Sequence, residues 1–182
     1  MPRSLLTALA VVIFMPLTAQ AQDREALIKN ALSAAPPSIT DNATVKDWEG
    51  NVLREGTNGW TCFPDFAPES PGNSPMCLDD QWMKFVDAWA NNTEPAYDRI
   101  GFGYMLQEGE PGSNIDPNAT EATPDNEWID NPGPPHLMVV VPDPKMLEGL
   151  PTDPENGGPW VMWRGTPLVH VMIPAVRQPT SK

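Results

Sequence analysis

Basic residues are scarce in this 182-residue chain, where 11 Lys and Arg stand against 24 Asp and Glu for a formal charge of −13. That balance excludes a nucleic-acid binder of the basic kind, which needs positive surface to neutralise phosphates. No apolar run after the first 21 residues reaches the roughly 18 needed to span a membrane, so no span is expected in the mature form. Enzyme signatures are also missing. There is no G-x-S-x-G nucleophile elbow and no H-E-x-x-H zinc motif. Gly101-Phe102-Gly103 lacks the third glycine and the following helix of a phosphate cradle. No repeat of 20–50 residues marks a solenoid.

What is present begins with an export signature. Met1-Pro2-Arg3-Ser4 is a short positive segment, Leu5 to Leu17 is apolar, and Ala19-Gln20-Ala21 is a small-x-small cleavage pattern. The expectation is a signal peptide over residues 1–21, a mature chain from Gln22, and a periplasmic or extracellular location. In that oxidising compartment the only two cysteines, Cys62 and Cys77, are expected to form a disulfide. Their spacing is not C-x-x-C, so a metal or redox pair is disfavoured. The bridge would close a segment holding Pro64, Pro68, Pro71 and Pro75. The 23 prolines and 13 glycines make up about a fifth of the chain, short of the roughly 25–30% of low-complexity sequence.

Periodicity predicts an α+β fold, a single small domain over 22–176 with a loose tail at 177–182. It has a mainly antiparallel sheet, one or two packed helices and long Pro/Gly-rich loops. A helix is expected over Asp23–Ala35, ending ahead of Pro36-Pro37. A second is expected over Asp79–Ala90, with Trp82, Phe85, Val86 and Trp89 on one face. That aromatic stripe reads as the wall of a core. Strands are expected at 44–48, 51–54, 99–106, 136–141, 160–164 and 168–173, with a helical turn at 145–150. In the 99–106 strand Gly101, Gly103 and Met105 share a face, which leaves room for a close neighbour. A long polar stretch, 107–135, reads as loop.

The sharpest chemical signal is an echo. His136-Leu137-Met138-Val139 and His170-Val171-Met172-Ile173 both read His-φ-Met-φ, and they hold the only two histidines. Alternation along a strand puts each His on the same face as its Met. Were the strands neighbours, His136, Met138, His170 and Met172 would offer imidazole and thioether ligands, with Met162 as a possible fifth. Such soft ligands suit copper, Cu(I) above all. Buried structural His and core Met are the plainer account of the same residues.

Other features divide similarly. Asp143 or Asp153 could pair with a histidine for acid–base chemistry. Asp116, Asp125, Asn126, Glu127, Asp130 and Asn131 are oxygen ligands of the kind calcium takes, without EF-hand spacing; solvated charge is the plainer reading. Seven tryptophans are unusually many for this length. Trp160 and Trp163, three apart on a strand, would face opposite sides, and with Tyr104 they form a candidate binding surface. Asn42, Asn91 and Asn118 head Asn-x-Thr sequons.

Three functional readings result. The first is a non-catalytic binding or interaction protein with a protein, glycan or small-molecule partner. The second is a copper-binding protein using the paired His-x-Met strands. The third is a hydrolase-like enzyme using a His and a carboxylate. The first is preferred, because no motif commits the chain to catalysis.

Overall fold

The computed structural model describes residues 17–69, 72–130 and 134–175. Most of the expected signal peptide and the tail at 177–182 lie outside that range. The chain opens with α1 (Leu17–Leu32) and a short α2 (Pro37–Thr40), which starts with proline at its first position. Strands β1 (Thr44–Lys46), β2 (Val52–Arg54), β3 (Thr61–Phe63) and β4 (Met76–Leu78) follow. Next come α3 (Asp80–Asn91) and β5 (Gly101–Met105). A small pair, β6 (Gly112–Ser113) and β7 (Trp128–Ile129), precedes β8 (His136–Val140). The chain closes with a 3-10 turn (Pro144–Leu147), β9 (Trp160–Met162) and β10 (His170–Pro174).

Eight strands form one sheet in the order β2-β1-β3-β4-β5-β8-β10-β9. All pairings are antiparallel except β1 with β3. The domain is therefore α+β with a mostly antiparallel sheet, as composition and turn spacing suggest. No helix among the described residues is long and apolar enough to cross a membrane.

Alternation divides the side chains between two faces. On one face α3 lays Trp82, Phe85 and Ala88 over Phe63, Leu78, Met105, Met138, Val140, Trp160 and Met172. The opposite face is covered in halves. Near β1–β4, Ala31 of α1 and the following Ala34 and Ala35 pack on Val45, Leu53, Cys62 and Cys77. Near β8–β10, Leu147 of the 3-10 turn covers Val141, Val161, Val169 and Val171. Cys62 and Cys77 are directly opposed on β3 and β4 and are joined by a disulfide. The loop they close is also held by α1: Asn30 Oδ1 accepts the Asp65 amide at 2.7 Å, and its Nδ2 donates to Asn73 Oδ1 at 2.8 Å.

The glycine face of β5 explains how closely α3 can lie. A Cβ on Gly101 would stand 2.4 Å from Gln81 Cβ, and one on Gly103 would stand 2.9 Å from Met138 Cε. The apolar Ile100 and Phe102, on the other side, are each 44% exposed. The helix thus takes the side that carries the two glycines. Asp79 accepts the Gln81 and Trp82 amides at the start of α3, and Asn92 ends it in the left-handed region with φ 53°.

The expected 107–135 loop carries more order than its composition suggests. Its anchor is Asn114, almost fully buried. Asn114 donates from Nδ2 to the Thr152 carbonyl at 2.9 Å, accepts the Trp160 indole N–H at 3.2 Å on Oδ1, and accepts the Trp163 amide at 2.7 Å on its carbonyl. A buried amide with its polar atoms satisfied fixes the path of the segment through it.

Candidate functional site

The helical stripe of α3 begins in the core and runs out of it. Trp82 and Phe85 are buried, whereas Trp89, one turn further, is 39% exposed. Aromatic rings surround the end of the stripe. Phe85 stacks on Trp163 with centroids 5.8 Å apart, and Trp163 meets Trp89 at 5.7 Å. His170 stands edge-on to Trp163, Trp82 and Phe85 at 5.0, 5.3 and 5.5 Å. Trp163 adopts φ 55°, an unusual conformation for a bulky residue. Its indole N–H donates to the Ser113 carbonyl at 2.8 Å and holds it there.

Beyond this cluster lies a cleft of about 570 Å³ between the end of α3 and the 115–118 segment. Trp89, Ile115, Pro117 and Leu168 supply apolar surface, and Asn92, Asp116 and Asn118 are among its polar lining. A second cleft, about 490 Å³, lies beside the 3-10 turn and is lined chiefly by aliphatic residues, with Arg164 at its side. It contains no aromatic ring among its described lining residues.

The two His-x-Met strands are neighbours, and all four side chains share the face beneath α3. The register sets Met138 directly opposite Met172, His136 opposite Pro174 and His170 opposite Met162. Because the strands are antiparallel, the motifs run in opposite directions. The two imidazoles therefore leave positions four residues apart along the strands, and His136 adds to the lowering of the His170 pKa. The register puts Met162 directly across from His170. Met105, absent from that set, lies directly opposite His136 on β5. Only the strand order, which no local pattern encodes, makes it a neighbour.

Each histidine uses Nδ1 in the same way. His136 Nδ1 bonds the Pro134 carbonyl at 2.8 Å, and His170 Nδ1 bonds the Leu168 carbonyl at 2.9 Å. A carbonyl only accepts, so Nδ1 carries the proton in both neutral rings. Burial lowers the pKa of both, pulling His170 down to about 4. His136 Nε2 is buried and has no hydrogen-bond partner, as are the Trp82 indole N–H and the Tyr97 hydroxyl.

Other candidates are placed differently from the sequence expectation. Trp160 and Trp163 do not display one exposed indole: the strand ends at Met162, and both N–H groups bond the Ser113–Asn114 segment. Tyr104 lies on the opposite face, edge-on to Trp60 at 5.5 Å, so these three do not form one surface. Asp143 accepts the Lys145 amide and Asp153 the Glu155 amide, and neither meets a histidine.

Part of the acidic loop is committed to structure, while Asp125 and Asp130 are exposed. Glu127 pairs with Arg164 at 2.5 Å, which lowers its pKa, and Asp116 accepts the Asn118 amide at 2.9 Å. Asn126 bridges Glu121 and Thr123, while Asn131 lies outside the described residues. Among the described residues no group of three or more His, Cys, Asp or Glu is placed to hold a metal ion. The sequon residues Asn42, Asn91 and Asn118 are all exposed, and Asn118 lines the Trp89 cleft. No protein-family model, curated protein or solved structure matches the chain.

Proposed function

We propose that the protein is an exported, non-catalytic binding protein whose recognition site is the cleft beside Trp89. The observation that carries this reading is the half-exposed Trp89 indole on a cleft that also presents Asn92, Asp116 and Asn118. A flat apolar ring beside amide and carboxylate groups matches ligands with one apolar face and many hydroxyls, the glycan class of partner. Trp89 is braced by Trp163, which in turn stacks on Phe85, so stacking on it would cost little side-chain ordering. Export is supported by the N-terminal pattern of residues 1–21 and by the disulfide. A hydrolase finds less support, since neither imidazole contacts a carboxylate among the described residues and both are buried.

The test is calorimetric titration with a panel of neutral and acidic oligosaccharides, on the wild type and Trp89→Ala. Binding by at least one oligosaccharide is expected. Trp89→Ala should weaken it about tenfold or more, the loss of a central aromatic contact. Failure of the whole panel to bind, or equal binding by the variant, would overturn the reading.

A further inference from the structure

His136 presents a buried acceptor with nothing to accept from. The residue is 2% exposed, its Nδ1 proton is committed to Pro134, and its Nε2 lone pair has no partner. Such a group costs roughly 1–3 kcal/mol if left alone, and native buried polar atoms are normally satisfied. Its surroundings are unusual in one respect, which is sulfur. Met105 lies directly across on β5, Met138 shares the face two residues along, and Met172 lies directly across from Met138 on β10. All three are buried. Gly103 has no side chain, and Met138 Cε occupies the space a Cβ would need. Met138 thereby leans over β5, the strand that carries Met105.

A thioether has no proton to donate, so these neighbours cannot satisfy Nε2 directly. A cation of soft character satisfies all four at once. We propose that His136 Nε2 and the thioethers of Met105, Met138 and Met172 form a Cu(I) site beneath α3. The ligand set is neutral and sulfur-rich, which selects Cu(I) over Cu(II), calcium and magnesium. The Nδ1 bond to Pro134 supplies the outer contact that commonly orients a ligating imidazole. His170 is outside this site. It leaves the far end of β10, and its ring is boxed by Trp82, Phe85 and Trp163. The site rests on the strand register and not on the Trp89 cleft, so either can fail alone.

The experiment is an anaerobic competition of Cu(I) against a chromophoric Cu(I) chelator, with ascorbate as reductant and the disulfide intact. The wild type should take up one Cu(I) per chain. Met138→Leu/Met172→Leu, which conserves volume, should lose affinity on the order of 100-fold, at or beyond the roughly 10–100-fold range for outer contacts. Met162→Leu should bind as the wild type does. X-ray absorption of the wild-type complex should show a sulfur shell with one nitrogen, a readout independent of whether the double variant folds. No uptake against the chelator, equal binding in the double variant, or a shell of nitrogen and oxygen alone would overturn the proposal.

Discussion

Asp79 and Phe102 are joined by two reciprocal hydrogen bonds where α3 meets β5. Asp79 Oδ2 accepts the Phe102 amide at 2.7 Å, and the Asp79 amide donates back to the Phe102 carbonyl at 3.1 Å. The other carboxylate oxygen accepts the Gln81 and Trp82 amides, each at 3.0 Å. One side chain therefore caps the helix and fixes its position on the strand.

Asp79→Ala removes the cap and leaves the Phe102 amide without its acceptor. The cap alone is worth about 1 kcal/mol, and an exposed hydrogen bond adds about 0.5–1. A fall in unfolding free energy of about 1–2 kcal/mol is expected from urea titration. Asp79→Asn keeps one acceptor oxygen and should lose less.

Contact between α3 and β5 depends on glycine. Gly101→Ala places a methyl against Gln81 Cβ and Val140, whereas Gly103→Ala meets the movable ends of Met138 and Leu78. Overpacking typically costs about 1–3 kcal/mol. Gly101→Ala should fall at the upper end and Gly103→Ala below it, read from thermal midpoints of the two variants. Equal midpoints would show that the helix shifts as a body.

Replacing both Cys62 and Cys77 by Ala opens a loop with a sequence separation of 15. The chain-entropy argument assigns about 3 kcal/mol to such a closure. Stability measured by urea should fall by that order, while far-ultraviolet circular dichroism stays unchanged, because Asn30 still holds the loop through Asp65 and Asn73.

Acid should destabilise the fold through its histidines. His170 has a folded pKa of about 4, pulled down from 6.5 chiefly by burial. The unfolded chain then binds a proton that the folded chain refuses between those values. Stability is full above about pH 7 and falls as pH drops through 6.5 toward 4. His170 alone contributes on the order of 3 kcal/mol across that window. Urea midpoints at pH 7, 6 and 5 should decline in the wild type and decline less in His170→Phe. A flat wild-type series would contradict the burial of both imidazoles.

Local patterns were readable where chemistry and periodicity coincide. The α3 helix follows from its Asp cap and its 3.6-residue apolar spacing, and β8 and β10 follow from composition between prolines. The cysteine pair is legible because two cysteines allow only one bridge within the chain. Alternation alone misplaces Trp163, because the strand ends at Met162. Nothing in the sequence states that Trp163 takes a positive φ or that Asn114 will receive the Trp160 indole N–H from a segment 46 residues away.

The sequence by itself determined which residues face together within each strand, since alternation is a property of the backbone alone. It therefore put His136 with Met138 and His170 with Met172. Tertiary structure decided the rest, through strand order and direction. Antiparallel pairing set the two methionines directly opposite each other and the two histidines four residues apart along the strands. The placement of β5 beside β8 brought Met105 across from His136. Such pairings depend on which faces must be buried against which helices, a global packing requirement that no single segment carries.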